Sequence, residues 1–491
     1  MKCRSLTLGL LALFPAGCNA VGGAPGSPGL PASRAAVSAT VSLSLAAALD
    51  PSNSFPTFVY NGTYDVTPTI RVKPGGSIEI FLNDELPAGK SMGDDVNLHF
   101  HGLGTSPLAP ADDVLTMLAR PNQTLHYVVP IPKSQPPGLY WYHTHVHGET
   151  NYQVGEGGMS GAIVVDGIDA HLPALAHMRE NILMVRELGS GAGSVRRLPH
   201  TANTNPCAQA ASAVISVNRE YRPILQATPN RPQFYRIVNA TGHRTLDLSI
   251  DGSPLEIVAI DGYPLDTYPG EPATRTVSHY VLPPAARVEF VAAPPGPSVL
   301  RTRCYFSGPV GDQDPAQVLA YLGKPHRAAP SRRAALKLPA LTVGTPLDRS
   351  GPAGFLPEPV AHRIVRFTEN AKGFYINGRA YSPEAKPTFV VRTGTVERWT
   401  VENLTQEIHA FHIHQVHFVV EAIDGVRLAH RYWADTVVVP YGKRSGNGSL
   451  RPGTITLLMD FRSSLIRGTF LFHCHILDHE DMGMMAKIQA I

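Results

Sequence analysis

The residues best equipped for chemistry stand near the C-terminal end: His473-Cys474-His475, then three residues, then His479-Glu480-Asp481-Met482-Gly483-Met484. A cysteine that can ionise to a thiolate lies between two histidines. A third histidine follows four residues after the second, and a methionine lies ten residues after the cysteine. Thiolate, imidazole and a distant thioether are the donors of a blue-copper electron-transfer site. Successive side chains on a strand point to opposite faces. Cys474 can therefore bind one ion while His473 and His475, facing away from it, bind others. The plain alternative, a buried free cysteine among structurally satisfied histidines, leaves three further histidine clusters without a purpose.

Those clusters are Leu98-His99-Phe100-His101-Gly102, Trp141-Tyr142-His143-Thr144-His145 and His409-Ala410-Phe411-His412-Ile413-His414. With the C-terminal stretch they take ten of the 21 histidines. One His-x-His is a weak signal, more often structural or a local zinc site. Four in one chain, one of them split by cysteine, is a specific one.

The elements that must position these residues recur along the chain. Asn61-Gly62-Thr63-Tyr64, Asn218-Arg219-Glu220-Tyr221 and Asn377-Gly378-Arg379-Ala380-Tyr381 are alike and nearly evenly spaced. Residues 68–75 echo 387–394, and Arg236–Asn239 compares with Arg398–Asn403. Such self-similarity argues for three copies of one domain. Runs rich in β-branched or apolar residues, such as 78–82, 160–165, 286–292 and 454–461, alternate with Pro/Gly turns. The expected fold is all-β, with three consecutive Greek-key β-sandwich or barrel domains. Their expected spans are 46–166, 167–341 and 342–491, with a Pro/Ala/Arg/Gly-rich crossing over 325–360.

In this repeat, His143-Thr144-His145 occupies the place of His473-Cys474-His475, and His99-x-His101 mirrors His412-x-His414. If the first and third domains face each other, eight histidines converge. Eight imidazoles suffice for three copper ions, two with three ligands each and one with two. Thr144 in place of cysteine denies the first domain a blue copper of its own. The second domain carries only isolated histidines (His171, His177, His200, His243, His279), so it is expected to bind no copper, to act as a spacer and to help shape a substrate cleft.

On these four motifs the chain resembles the three-domain multicopper oxidases of the laccase-like kind, from about residue 50 to the end. The resemblance implies cupredoxin-like domains and four copper ions. His409, Cys474 and His479, with Met484 axial, would hold the type 1 ion. His99 and His412 would hold the type 2 ion. His101, His143, His145, His414, His473 and His475 would hold the type 3 pair. His147 and His417 match non-ligand positions. Electrons from a small reducing substrate would enter beside His479 and pass along Cys474 to His473 and His475, and dioxygen would be reduced to water at the three-ion centre. A methionine at 484 implies a low-to-middle potential. Asp112 and Glu480 match acidic positions on proton paths, with an orienting role for the histidines as the alternative.

Composition sets the setting. Pro and Gly number 44 each in 491 residues, and charged residues are 16%, as in a loop-rich exported protein. A net charge of +3 is too weak a field to imply a nucleic-acid or anionic-membrane partner, and none is expected. Residues 1–18 read as an export leader, with Lys2 and Arg4 ahead of an apolar stretch too short to span a membrane. Residues 19–45 read as a flexible tether. Ala16-Gly17-Cys18 resembles the end of a lipoprotein cleavage box, with Pro15 where an aliphatic residue is usual. Either Cys18 carries a lipid anchor or the leader is cut nearby. The expected destination is a periplasm, a cell surface or the exterior. Cys207 and Cys304 are then either a disulfide or two unrelated buried thiols. Nothing in the sequence sets the oligomeric state.

Three other readings compete with a phenol-oxidising, laccase-like enzyme. A copper nitrite reductase lacks the paired histidines around the cysteine. A Cu(I) or Fe(II) oxidase is the main alternative, although ten methionines without a methionine-rich run speak against a Cu(I) specialist. A non-enzymatic copper carrier does not explain intact ligands in all four motifs.

Overall fold

The computed structural model describes residues 40–89, 94–188, 214–323, 338, 341–347 and 356–491, all within the unit Val37–Ile491. The stretch expected to be an export leader, Cys18, most of the expected tether, Cys207 and much of the 325–360 crossing lie outside the described residues. Strands dominate, with only short helical turns between them. No described helix is long and apolar enough to cross a membrane.

The strands fall into three consecutive groups, 40–165, 179–322 and 361–490, each forming two main sheets. Every group opens in the same way. A ten-residue strand (Thr40–Leu49, Arg179–Leu188, Ala361–Asn370) pairs in parallel with a later strand (Ser77–Asp84, Gln233–Asn239, Thr395–Asn403). The opposite edge of the first strand meets a hairpin whose turn is the repeated Asn-Gly or Asn-Arg. Asn61/Gly62, Asn218/Arg219 and Asn377/Gly378 all sit at positive φ, between 50° and 74°. Two successive left-handed residues make the hairpin turn whose twist matches the strands, which is why asparagine and glycine recur there. The 68–75 and 387–394 echo is likewise structural: Ile70–Val72 and Phe389–Val391 each pair in parallel with the last strand of their domain.

One expectation is corrected. The tether assigned to 19–45 ends earlier, because Thr40–Leu49 is a continuous strand in register from Thr40↔Ser77 to Ala47↔Asp84. Val41, Leu43 and Leu45 alternate with polar partners and turn toward the first domain's core, with Leu45 fully buried. Composition alone conceals a strand whose polar face is serine and threonine. The strands expected at 78–82, 160–165, 286–292 and 454–461 lie within or over Ser77–Asp84, Ser160–Val165, Arg287–Ala292 and Gly453–Phe461. Cys304 is disulfide-bonded.

Each group has its own apolar core, and a further cluster lies at the junction, where Trp141, Val164, Met184, Val238 and Leu477 pack together from all three groups. The first and second groups approach closely there. A Cβ at Gly138 would overlap the backbone of Gly262. Burial of large side chains at ~1.5–3 kcal/mol each thus holds the three groups together next to the histidines.

Candidate metal centre

Strand alternation sorts the donors. In Gly468–Cys474, Phe470, Phe472 and Cys474 enter the third domain's core, while His473 faces out of it. The neighbouring strand His409–Ile413 pairs with it at Phe411↔Cys474 and His412↔His473. In the first domain His99–His101 pairs with Gly138–His143 at His99↔His143. Tyr140 and Tyr142 fill that core, while Leu139 and Trp141 turn to the junction with His143. The two sheets are built alike, so Thr144 stands where the third domain has Cys474.

Two centres result. In the first, the Nδ1 atoms of His409 and His479 face each other at 3.1 Å, and Cys474 Sγ lies 3.5 and 3.8 Å from them. Two nitrogens each about 2 Å from one ion lie roughly 3–3.5 Å apart, so the set fits a metal. Met484 is fully buried, and its backbone joins both partners: its N–H donates to His479 O and its carbonyl accepts from Cys474 N. Phe374 stacks on the His479 ring at 4.1 Å. Burial pushes the Cys474 thiol far up, so a thiolate there requires a bound cation. His409 Nε2 is 2.9 Å from Thr405 Oγ1, and His479 Nε2 is 3.5 Å from Glu407 Oε1 and 3.9 Å from Asp478 Oδ1.

In the second, eight buried histidines from the first and third domains converge. Their ring nitrogens group as His99/His101/His412, His101/His143/His475 and His145/His414/His473, each within 4.8 Å. His99 stacks on His414 at 3.7 Å and His101 on His412 at 3.8 Å, across the domain boundary. The outer nitrogens are satisfied: His99 Nδ1 by Asp112 at 3.0 Å, His101 Nε2 by Asp435 at 3.0 Å, His412 Nδ1 by the Asp435 carbonyl at 2.9 Å, and His143 Nδ1 by the Thr144 carbonyl at 2.8 Å. The inner nitrogens, His99 Nε2, His101 Nδ1, His143 Nε2 and His412 Nε2, have no hydrogen-bond partner. Buried polar atoms are rarely left so, and a metal ion is what such lone pairs suit. Burial, reinforced by neighbouring histidines or opposed by nearby carboxylates, keeps His99, His101, His143, His412, His414 and His475 well below the ordinary imidazole value. They stay in the neutral form that ligates.

Both expected acidic residues are in place. Asp112 accepts from Phe100 N at 2.9 Å and Gln415 Nε2 at 2.6 Å as well as facing His99, and burial raises it to about 7. Glu480 Oε2 is 2.9 Å from His473 Nδ1, and its other oxygen accepts from Thr150 and lies 3.5 Å from His145. Burial would raise Glu480, but His473 and His145 hold it well below the usual range. The next residue, Asp481, accepts the Thr150 and Asn151 amides, tying the first domain to the third. A cavity of about 240 Å³ opens beside Gln415, His417 and Asp460.

All fourteen residues named from sequence thus gather at these two centres. His147 instead packs edge-on against Tyr381, and His417 Nε2 is 3.2 Å from Asp435 Oδ2. Sequence reasoning missed Gln415, Glu407 and Asp478, although each adjoins a ligand cluster. It also missed Asp435 and Arg287, which carry no local signal. Arg287 belongs to the second domain, so the spacer expected there is also a structural partner of the histidine centre. Three loops meet on this side of the third domain: Ile408 N donates to Ser307 O at 2.7 Å, and Gly442 N to Thr405 O at 2.7 Å.

Two family models, each described as multicopper oxidase, match residues 46–169 and 356–490. The chain belongs to the multicopper oxidase family. It is therefore a copper oxidoreductase that uses dioxygen and a reducing substrate. It is 23% identical over 440 residues to a multicopper oxidase of Staphylococcus aureus, covering 88% of this chain and 83% of that one. It is also 23% identical to a Bacillus subtilis laccase, covering 74% and 72%. The structure of a Campylobacter jejuni multicopper oxidase, described as a metallo-oxidase, superposes with a TM-score of 0.70 at 22% identity, covering 93% of each chain. Its likeness extends to all three cupredoxin-like domains.

Proposed function

We propose that this protein couples four one-electron oxidations of a reduced metal cation, Fe(II) or Cu(I), to the reduction of one dioxygen by four protons to two waters. His409, Cys474, His479 and Met484 would hold one copper (type 1), His99 and His412 a second (type 2), and His101, His143, His145, His414, His473 and His475 a pair (type 3). Copper bound there would store electrons that arrive singly and pass them to dioxygen. Cys474 is joined through the chain to His473 and His475, and these two rings belong to different three-histidine groups. The sulfur therefore has a covalent path into both. Asp112, bonded to His99 and to Gln415 at the cavity wall, is placed to relay protons inward, and Glu480 orients His473 and His145.

The observation that carries the choice of donor is the pair of carboxylates on the outer nitrogen of His479, Glu407 and Asp478. Their charge attracts a small cation and opposes a phenolate anion, whereas the donor first expected from sequence was a phenol. Oxygen uptake with Fe(II), Cu(I) and a simple phenol tests this. Glu407→Gln with Asp478→Asn should raise KM for the metal ion about tenfold per carboxylate, ~1.4 kcal/mol each, and leave the copper content intact. Faster turnover of the phenol, with no change in metal-ion KM in the variant, would sink the cation reading. We place the protein outside the cytoplasm on the strength of the leader at 1–18, with Cys18 either lipidated or removed.

A further inference from the structure

We propose that Arg287, a residue of the middle domain, is a positioning residue of the histidine centre. It acts through Asp435 on His101 and His412. The inference rests on those histidines holding copper.

Arg287 lies in the strand Arg287–Ala292 and is fully buried. Its guanidinium grips Asp435 with two parallel bonds, Nη1 to Oδ1 at 2.7 Å and Nη2 to Oδ2 at 2.6 Å. The forked pair fixes the plane of a carboxylate as well as its charge. Asp435 Oδ1 then accepts from His101 Nε2 at 3.0 Å and from Thr436 Oγ1 at 2.8 Å. That bond places the proton of His101 on Nε2 and leaves Nδ1, which has no partner, free for the metal. The Asp435 carbonyl accepts from His412 Nδ1 at 2.9 Å, leaving His412 Nε2 free in the same sense.

The middle domain holds the backbone here as well. Asp261 Oδ2 accepts the amides of Asp435 and Thr436, both at 3.1 Å, while its Oδ1 accepts from Arg287 N at 2.7 Å. The Asp435–Thr436 dipeptide, which aims one ligand of the first domain and one of the third, is thus clamped from the second. The pair is closely packed: a Cβ on Gly102 would overlap the Arg287 guanidinium and come within 2.7 Å of Asp435 Oδ2. A partner that orients a ligating imidazole tunes metal affinity through the ligand's tautomer and angle, so its loss should be read in the metal.

The test compares copper-loaded wild type with Arg287→Met, Arg287→Lys and the double variant Arg287→Met/Asp435→Asn. Copper per chain, the electron paramagnetic resonance signal of the non-blue Cu(II) and the blue absorbance are measured on each. We expect Arg287→Met to keep the blue absorbance per chain, to lose half or more of the remaining copper, and to alter or lose the non-blue signal. Arg287→Lys keeps the charge but not the fork, and should recover part of the copper with a shifted signal. Should Arg287→Met not fold, the double variant, which removes both partners of the forked pair, should fold and still lose cluster copper. Wild-type copper content and an unshifted signal in the variants that fold, even with a lower melting temperature of the metal-free protein, would overturn the proposal by showing a purely structural ion pair. A wild type that holds only the blue copper would overturn the copper assignment instead.

Discussion

The sulfur-centred site and the eight-histidine centre differ in how far the chain must travel to build them. His409, Cys474, His479 and Met484 lie on two paired strands, one short helix and the turn after it, all inside one domain's core. The histidine centre takes half its rings from residues 99–145 and half from 412–475, and Asp435 beneath them is clamped by Arg287 and Asp261 of the middle domain. The first site is a property of one β-sandwich. The second exists only where three domains close. Electron entry can therefore be tuned by a few loops, while oxygen reduction depends on the whole assembly.

The sharpest way to break this contrast is to empty each centre separately. Cys474→Ser should abolish the blue absorbance and all turnover while retaining three of four coppers. His145→Ala should keep the blue absorbance and lose copper from the other centre. Copper analysis with visible spectra decides it, and loss of all copper in both variants would show that the two centres are not independent. Next in size, Asp112→Asn should lower turnover by about 10²–10⁴-fold, the usual scale of a lost proton-transfer group, with copper content unchanged. Unaltered oxygen consumption across pH would remove Asp112 from the relay.

The smallest effect concerns the side of the middle domain that faces the sulfur site. His243 lies 3.3 Å from Glu187 and 3.5 Å from Asp478. Burial alone would lower it, but Asp478 and Glu187, with Asp312 beyond, raise it from 6.5 to about 10. A raised imidazole contributes stability that is fully present below about pH 6.5 and is lost as pH climbs toward about 10. The slope is at most ~1.4 kcal/mol per pH unit. Denaturation of His243→Asn across that window should show a flatter stability profile than wild type. An identical profile would mean that His243 is not charged between these carboxylates.

Much of this is legible in the sequence, for reasons that differ by residue. The hairpin turns were readable because only a few residues tolerate two left-handed conformations in succession, so asparagine followed by glycine or, once, arginine recurs at 61, 218 and 377. The metal donors were readable because histidine and cysteine at alternating positions have few other uses on a buried strand. The first six residues of Thr40–Leu49 were misread as part of a tether, since serine, threonine and alanine do not announce a strand. It forms because its backbone finds a parallel partner. Asp435, in Trp433-Ala434-Asp435-Thr436, and Arg287, among apolar strand residues, carry no local pattern. Their meaning lies in each other, 148 residues apart.

By itself, the order of residues determined the donor set, the three-fold repeat and the all-β character, because these follow from side-chain chemistry and from periods of a few residues. The closed structure alone decided which ring nitrogen of each histidine faces inward, which carboxylates stand behind the rings, and that the middle domain takes part. Those choices are made by contacts across domain boundaries, where an atom's partner depends on packing and not on its neighbours in the chain.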